Sequence, residues 1–279
     1  MTLDFLIMDV DVLGITILIG SFFLLLAIRV PIAFALGISS VLTAWYLGLP
    51  LMIVVQQMTQ GLNSFSLMAI PFFIVAGQIM GVGGIGQKLI DMANVFVGWV
   101  RGGLALVNVV ASTFFGGISG SSIADTSSLG SILIPLMRKT GYDNDYGVAV
   151  TIATSVQAVL IPPSHNMIIY AMSAGWITVT INGIQQQYSI SIGKMFLAGL
   201  TPGLLLGLML AIITMYLAIK RNYPKQPPVT FREGVRKVAD GFLGMFTAVV
   251  ILGGVLSGIF TVTESAAIAA VYAFLVTWL

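Results

Sequence analysis

Cysteine is absent from the 279 residues, histidine occurs once, and charged side chains make up only 8% of the chain. The missing cysteine rules out disulfides and thiolate metal sites, and says little about compartment. The shortage of charge rules out more. A soluble domain carries about 25% charged residues because its surface faces water, and this chain cannot cover itself in that way. With 58% hydrophobic residues and a mean hydropathy of +1.04, most of its area must face lipid. A β-barrel needs short alternating strands, whereas the apolar runs here are continuous. A net charge of +2 is too small to point to nucleic acid. The N-terminus carries Asp4, Asp9 and Asp11 where a signal peptide has positive charge, so the first apolar run reads as a retained span. The fold class is therefore an all-α integral membrane protein, a multi-span helical bundle.

Crossing the hydrocarbon core takes about 20 apolar residues. Runs of that kind cover 12–30, 32–49, 67–82, 147–174, 195–219 and 241–260, and another starts near Ser265. The piece between Lys88 and Arg101 is shorter, charged at both ends, and reads as an interfacial arm. Lysine and arginine favour the cytoplasmic side. Six of the twelve lie between Lys220 and Lys237, which reads as a cytoplasmic connector. Counting back and forth from it leaves Arg29, Lys88, Arg138 and Lys139 inside and the acidic N-terminus outside, with Lys194 alone on the wrong side. The organisation read this way is spans over 1–66, a span and arm over 67–101, an interrupted region over 102–174, a span with its connector over 175–240, and a further span opening over 241–279.

Residues 102–137 number 36, hold one charge, Asp125, and are flanked by Arg101 and Arg138. One helix of that length would reach roughly 54 Å, nearly twice the core thickness, and both flanks belong inside. A re-entrant hairpin resolves this, with its tip at GGISGSSIADTSS, 116–128. Irregular backbone at membrane depth must be enclosed by protein or line a cavity. Gly116, Gly117 and Gly120 permit a tight reversal, and one of Ser119, Ser121 and Ser122 can cap the second arm. That helix start suits an anion such as a carboxylate, and the carbonyls ending the first arm suit a small hard cation such as sodium. Small-residue helix packing is the competing reading, and the same-side charged flanks favour the hairpin. A second interruption lies in TIATSVQAVLIPPSHNMIIY, 151–170, where Pro162 and Pro163 remove two backbone donors in mid-span. Ser155, Gln157, Ser164 and Asn166 put polar groups beside this break. Broken helices meeting at mid-membrane are a binding architecture of secondary transporters.

On these motifs the sequence resembles the large membrane subunit of the tripartite ATP-independent periplasmic (TRAP) transporters. The matching pieces are IPFFIVAGQIM (70–80), the run 101–137, LIPPSHNMIIYAMS (160–173), SIGKMFLAGLTPGLLL (191–206) and GIFTVTESAAIAAVYA (258–273). The resemblance implies a bacterial inner-membrane, sodium-driven importer of organic anions with a periplasmic N-terminus. A periplasmic substrate-binding protein would feed it, and a small membrane subunit would accompany it in the lipid bilayer. It also implies an elevator-type transport domain of two hairpins and two broken helices related by an inverted repeat. Such permeases extend well past Leu279, so this chain is expected to hold the first repeat and the start of the second. No cofactor is expected beyond sodium as coupling ion. The candidate sodium ligands are Ser119, Gly120, Ser121, Ser155, Gln157 and Pro162. The candidate substrate ligands are Ser121, Ser122, Asp125, Ser164 and Asn166.

Two other classes compete. Gly117-Ile118-Ser119-Gly120 spells the G-x-S-G of rhomboid-type intramembrane serine proteases, with His165 as the only partner for a Ser119–His165 dyad. A channel is disfavoured by two interrupted helices, which suit an occluding site. Asp125 reads equally as a structural acid or a functional one. Glu264, after Thr261 and Thr263, reads as a helix cap.

Overall fold

The computed structural model describes residues 12–278 apart from 182 and 183. The chain divides into two compact units, 1–64 and 65–279. The first holds α1 (Val12–Ala27), α2 (Ile32–Tyr46) and α3 (Leu51–Leu62). Prolines set two of these starts: Pro31 and Pro50, at φ −56° and −57°, stand immediately before α2 and α3, where a fixed φ and a missing N–H cost nothing. Phe23, Leu24, Phe34 and Trp45 are exposed in this unit, as expected of helices that are apolar on nearly every face and meet lipid. Helix α3 was not foreseen as an element of its own.

The second unit opens with a 3₁₀ turn, Phe65–Met68, running into α4 (Ala69–Val82). Then follow α5 (Ile85–Val97), α6 (Gly103–Ser119), α7 (Ser122–Lys139), α8 (Asn144–Ser155), α9 (Gln157–Leu160) and α10 (His165–Ala174). An antiparallel hairpin of β1 (Trp176–Ile181) and β2 (Ile184–Ser189) leads to α11 (Ile192–Lys220), α12 (Phe231–Leu256) and α13 (Val262–Trp278). Among the described residues three stretches are long and apolar enough to cross a membrane: Phe65–Val82, Ile192–Lys220 and Phe231–Leu256. Asn144–Leu160 with His165–Ala174 makes a fourth if the pair, bent by 46°, counts as one span. The all-α membrane class holds, with the small β-hairpin as an addition that the apolar pattern did not announce.

The basic connector is shorter than 220–237. Helix α12 begins at Phe231, so Arg232, Arg236 and Lys237 are helical, and the true connector is 221–230. Lys237 Nζ lies 2.9 Å from Glu233 and Arg236 Nε lies 3.9 Å from Asp240. These pairs, four residues apart, and the recurrence of Phe231, Val235, Val238 and Phe242 are helical periodicities that the charge count had hidden. Helix α5 covers most of the short piece read as an arm and buries Ile85, Leu89, Ile90, Met92 and Ala93 on one side. Glu264 caps α13 as anticipated: it accepts from the Thr261 N–H at 2.8 Å, and Thr261 Oγ1 accepts from the Glu264 N–H at 3.3 Å.

Helices α6 and α7, each about 26 Å long by rise per residue, form the hairpin. The Gly102 N–H donates to the Pro224 carbonyl at 3.2 Å, and the Tyr142 hydroxyl donates to the same carbonyl at 3.5 Å. The residue that opens the first arm and the residue that follows the second thus meet one point of the connector, so both arms start and finish at one end of the unit. Leu104, Met137, Tyr142, Tyr146 and Tyr223 pack together at that base. The main core, with Met80, Ile85, Leu89, Phe115, Ile118, Leu129 and Leu133, surrounds the arms. Helices α4 and α13 pack closely through buried alanines 69, 76, 266, 269 and 273, small residues that let backbones approach where lipid offers little hydrophobic drive.

Candidate functional site

The hairpin reverses at Gly120 and Ser121. Gly120 ends α6 at φ 58°, its N–H donating to the Gly116 carbonyl at 2.9 Å. A Cβ there would collide with the Pro163 carbonyl oxygen and come within 2.9 Å of Ser164 Cα, so only glycine fits both the left-handed backbone and the contact. One at Gly116 would meet Ala158 Cα at 2.7 Å, and one at Gly77 of α4 would meet Ser119 Cα at 3.2 Å. The tip is therefore walled by α4 and by the broken helix, and its irregular backbone faces protein. Ser121 is the extended N-cap of α7, its hydroxyl accepting from the Ala124 N–H at 3.3 Å. Ser119 Oγ, buried, accepts from the Ser121 N–H at 3.4 Å.

Across from the tip, the helix breaks after Leu160, and residues 161–164 leave helical geometry before α10 resumes at His165. Ser164 stands at the N-cap position of α10 without making the cap bond, and its buried Oγ has no hydrogen-bond partner among the described residues. Gln157 donates from Nε2 to Thr113 Oγ1 at 2.8 Å, which leaves its buried Oε1 without a partner.

Beneath the tip runs a polar ladder through wholly buried side chains. Asn108 Nδ2 donates to Thr151 Oγ1 at 2.7 Å, and Thr151 donates to the Gly147 carbonyl at 2.9 Å. Thr154 donates to Asn108 Oδ1 at 3.0 Å. Ser112 Oγ lies 2.8 Å from Asp125 Oδ2 and 3.2 Å from Thr154 Oγ1. With one hydrogen to give, it serves the carboxyl best. The Asp125 Oδ1 atom has no partner among the described residues. One chain of hydrogen bonds thus ties both hairpin arms to α8.

The structure brings Gly120 against the 163–164 segment, with the Pro162 carbonyl beside Gly117, while Ser119 lies against Gly77 of α4 and Ser121 caps α7. Ser122 is half-buried at the start of α7. Asp125 faces inward to Ser112 rather than out at the tip. Ser155 is buried, and its hydroxyl bonds back to the Ile152 carbonyl at 2.9 Å. Asn166 departs from expectation: it is exposed in a groove between α10 and α11, beside Met167, Tyr170 and Pro202. It sits two residues into the resumed helix, and that register turns it away from Ser164. The Ser119–His165 dyad does not form: His165 Nε2 has no hydrogen-bond partner among the described residues, and its ring lies 6.3 Å from that of Phe73. Asn108, Ser112, Thr113, Thr151 and Thr154 were missed. Their only signal is the i, i+4 and i, i+3 spacing of hydroxyls and an amide on apolar helices.

The base is clamped by charge. Asp143 Oδ2 accepts from the Tyr223 hydroxyl at 2.6 Å and from Arg221 at 2.9 Å. The Tyr223 hydroxyl first, and then Arg221, hold the Asp143 carboxyl below its ordinary range.

Apolar helices enclosing a hairpin tip against a proline-broken helix have the architecture of a membrane permease core. The family comparison places the chain within that class. It belongs to the DctM component family of the tripartite ATP-independent periplasmic transporters, whose model matches residues 19–279. It is 40% identical over 254 residues to the C4-dicarboxylate TRAP transporter large permease protein DctM of Vibrio cholerae, covering 90% of this chain and 53% of that one. It is 36% identical over 252 residues to the 2,3-diketo-L-gulonate TRAP transporter large permease protein YiaN of Escherichia coli, covering 90% and 56%. To the sialic acid TRAP transporter large permease protein SiaM of Vibrio cholerae it is 37% identical over 218 residues, covering 78% and 48%. The chain spans about half the length of these relatives. They are transporter components and not proteases, in agreement with the missing dyad.

Proposed function

We propose that the chain is the binding-tip portion of a sodium-coupled permease that imports organic anions of the carboxylate or sugar-acid class. The relatives carry such acids by name, and the single observation that carries the reading is the tip itself. There the end of α6 abuts a second helix interruption, with Gly120 against Pro163 and Ser164, and the buried Ser164 Oγ and Gln157 Oε1 have no partner among the described residues. Unpaired buried acceptors cost free energy, and a small hard cation satisfies them with oxygen ligands. Ser119, Gly120, Ser121, Ser155, Gln157 and Pro162 are the proposed sodium ligands. Ser121, Ser122 and Ser164, at helix starts with free N–H groups, are the proposed anion contacts, with Asp125 behind them. Asn166 drops out of the set because it faces another groove.

The remaining parts of the reading are a small membrane subunit, a periplasmic binding protein that delivers the anion, and a bacterial inner membrane with the N-terminus outside. The orientation is supported by Arg101, Arg138, Lys139, Arg221 and Lys225 flanking the hairpin base. The test is uptake into vesicles by the complete permease with its partners, with and without a sodium gradient. Uptake should vanish without sodium, and Ser119→Ala with Ser121→Ala should raise the sodium concentration needed. Unchanged sodium dependence in that double variant would remove the assigned site.

A further inference from the structure

Away from the tip, the first half of α12 carries an apolar groove that the transport reading does not use. It has a volume of about 570 Å³ and is lined by Val95 of α5 with Phe231, Val235, Val238, Ala239 and Phe242. Phe231 is 86% exposed and Val235 55%. Helix α5 runs antiparallel to α12 here: Gly244 lies on Ile85, Gly241 on Met92 and Gly234 on Val95. The groove therefore opens where α12 begins, close to the exposed Trp99 and to the backbone bond from the Gln226 N–H to the Gly98 carbonyl.

Charge is distributed unevenly about it. Arg232 and Arg236 each follow a groove residue, Phe231 and Val235, by one position, which sets them about 100° round the helix on one rim. Arg232 has no ion-pair partner among the described residues, and Arg236 is held only at 3.9 Å by Asp240 with its side chain 86% exposed. Glu233 lies opposite the groove, where Lys237 neutralises it at 2.9 Å, and Asp240 stands about 40° round the helix from Arg236, its partner at 3.9 Å. An aliphatic trough with a guanidinium rim on one side matches a molecule with an acyl chain and an anionic head. Free phosphate would leave the trough empty, and a zwitterionic lipid would bring its own ammonium beside the guanidinium groups and offset the attraction of its phosphate.

We propose that this groove is a binding site for an anionic glycerophospholipid, one acyl chain lying along Val95, Val238 and Phe242 and the phosphate meeting Arg232 and Arg236. The lipid would brace α5 against α12 beside the hairpin base. Each arginine near a lipid surface favours anionic lipid about fivefold, and two about 25-fold.

The experiment is native mass spectrometry of the purified full chain in detergent, with phosphatidylglycerol and phosphatidylethanolamine of matched chains added in competition. Retention of phosphatidylglycerol by roughly tenfold or more over phosphatidylethanolamine is expected. Arg232→Gln with Arg236→Gln should abolish the preference while some lipid of either kind stays bound. Ala239→Phe, on an exposed helix position that tolerates the change, fills the trough and should reduce retention of both lipids. Equal retention of the two lipids by the parent would overturn the proposal, as would a preference that survives the double arginine variant. So would a groove covered by a second copy of the chain, seen as a lipid-free dimer that Ala239→Phe dissociates.

Discussion

Ser112 offers the sharpest test of the buried ladder. Among the described residues it is the only side chain that donates to Asp125, whose other oxygen has no partner there. Ser112→Ala therefore leaves a fully buried carboxyl with no hydrogen bond from protein. Losing the donor to a buried polar group costs about 1–3 kcal/mol, and the removed hydroxyl is too small to leave a cavity of consequence, so about 2 kcal/mol is expected. For a domain of about 200 residues, each kcal/mol moves the melting temperature by roughly 2–4 °C, giving a fall of about 4–8 °C. Asp125→Leu alone should cost less, about 1 kcal/mol, because Ser112 keeps Thr154 within 3.2 Å as an alternative acceptor. Once either partner is gone, removing the other should cost little, so the double variant should recover about 1.5 kcal/mol relative to additivity. The assay is thermal unfolding in one fixed detergent, followed by intrinsic fluorescence, across the four proteins of the cycle. A melting temperature for Ser112→Ala within 1 °C of the parent, or strictly additive losses, would refute the pairing.

Gly120 and Gly141 both sit at positive φ, 58° and 89°, but a Cβ at Gly141 meets open space whereas one at Gly120 strikes Pro163. Gly141→Ala should cost only the backbone strain of about 1–2 kcal/mol, while Gly120→Ala should cost clearly more; equal melting temperatures would deny the tip contact. Asn166→Ala should change stability by less than about 0.5 kcal/mol and leave the sodium dependence of uptake intact; a lost sodium response would return Asn166 to the site. The depressed Asp143 carboxyl gives stability that is present above the ordinary value of 3.8 and lost as pH falls through its lowered folded value. Asp143→Asn should therefore flatten the acid side of a melting-temperature profile below about pH 4 and leave the profile above pH 6 parallel to the parent's; identical profiles below pH 4 would remove the Tyr223–Arg221 clamp.

Much of the hairpin was legible because its signals are categorical. A 36-residue stretch with one charge and arginines at both ends has few ways to meet a membrane, and glycine at 120 with serine at 121 marks a stop and a restart. The double proline was equally plain. The start of α12 was obscured because six cations in 18 residues look like a loop when only charge is counted, although Phe231, Val235, Val238 and Phe242 carry a helical period. Asn166 was misplaced for a different reason. Sequence proximity to a break does not fix which face a side chain takes once the helix resumes. The β-hairpin at 176–189 lies between two apolar helices, where strand patterning is too short to stand out.

The ladder was the deepest omission, and its chemistry bears on how the site can move. In lipid, helices gain little from burying apolar surface against one another, and interhelical hydrogen bonds carry part of the association. Asn108 joins α6 to Thr151 and Thr154 of α8, with Ser112 within reach of Thr154, so parting those helices would strand several buried polar groups at once. Any rearrangement during transport should therefore carry the hairpin and the broken helix together. The chain has no cysteine, which makes this directly testable. A Cβ on Gly147 would lie 3.7 Å from Met137 Cβ, within the separation a disulfide spans. Met137→Cys with Gly147→Cys, introduced in the complete permease with its partners, should oxidise readily and retain most of its uptake. If oxidation arrests uptake and reduction restores it, α7 and α8 must separate in each cycle, and the hairpin and the broken helix do not move as one body.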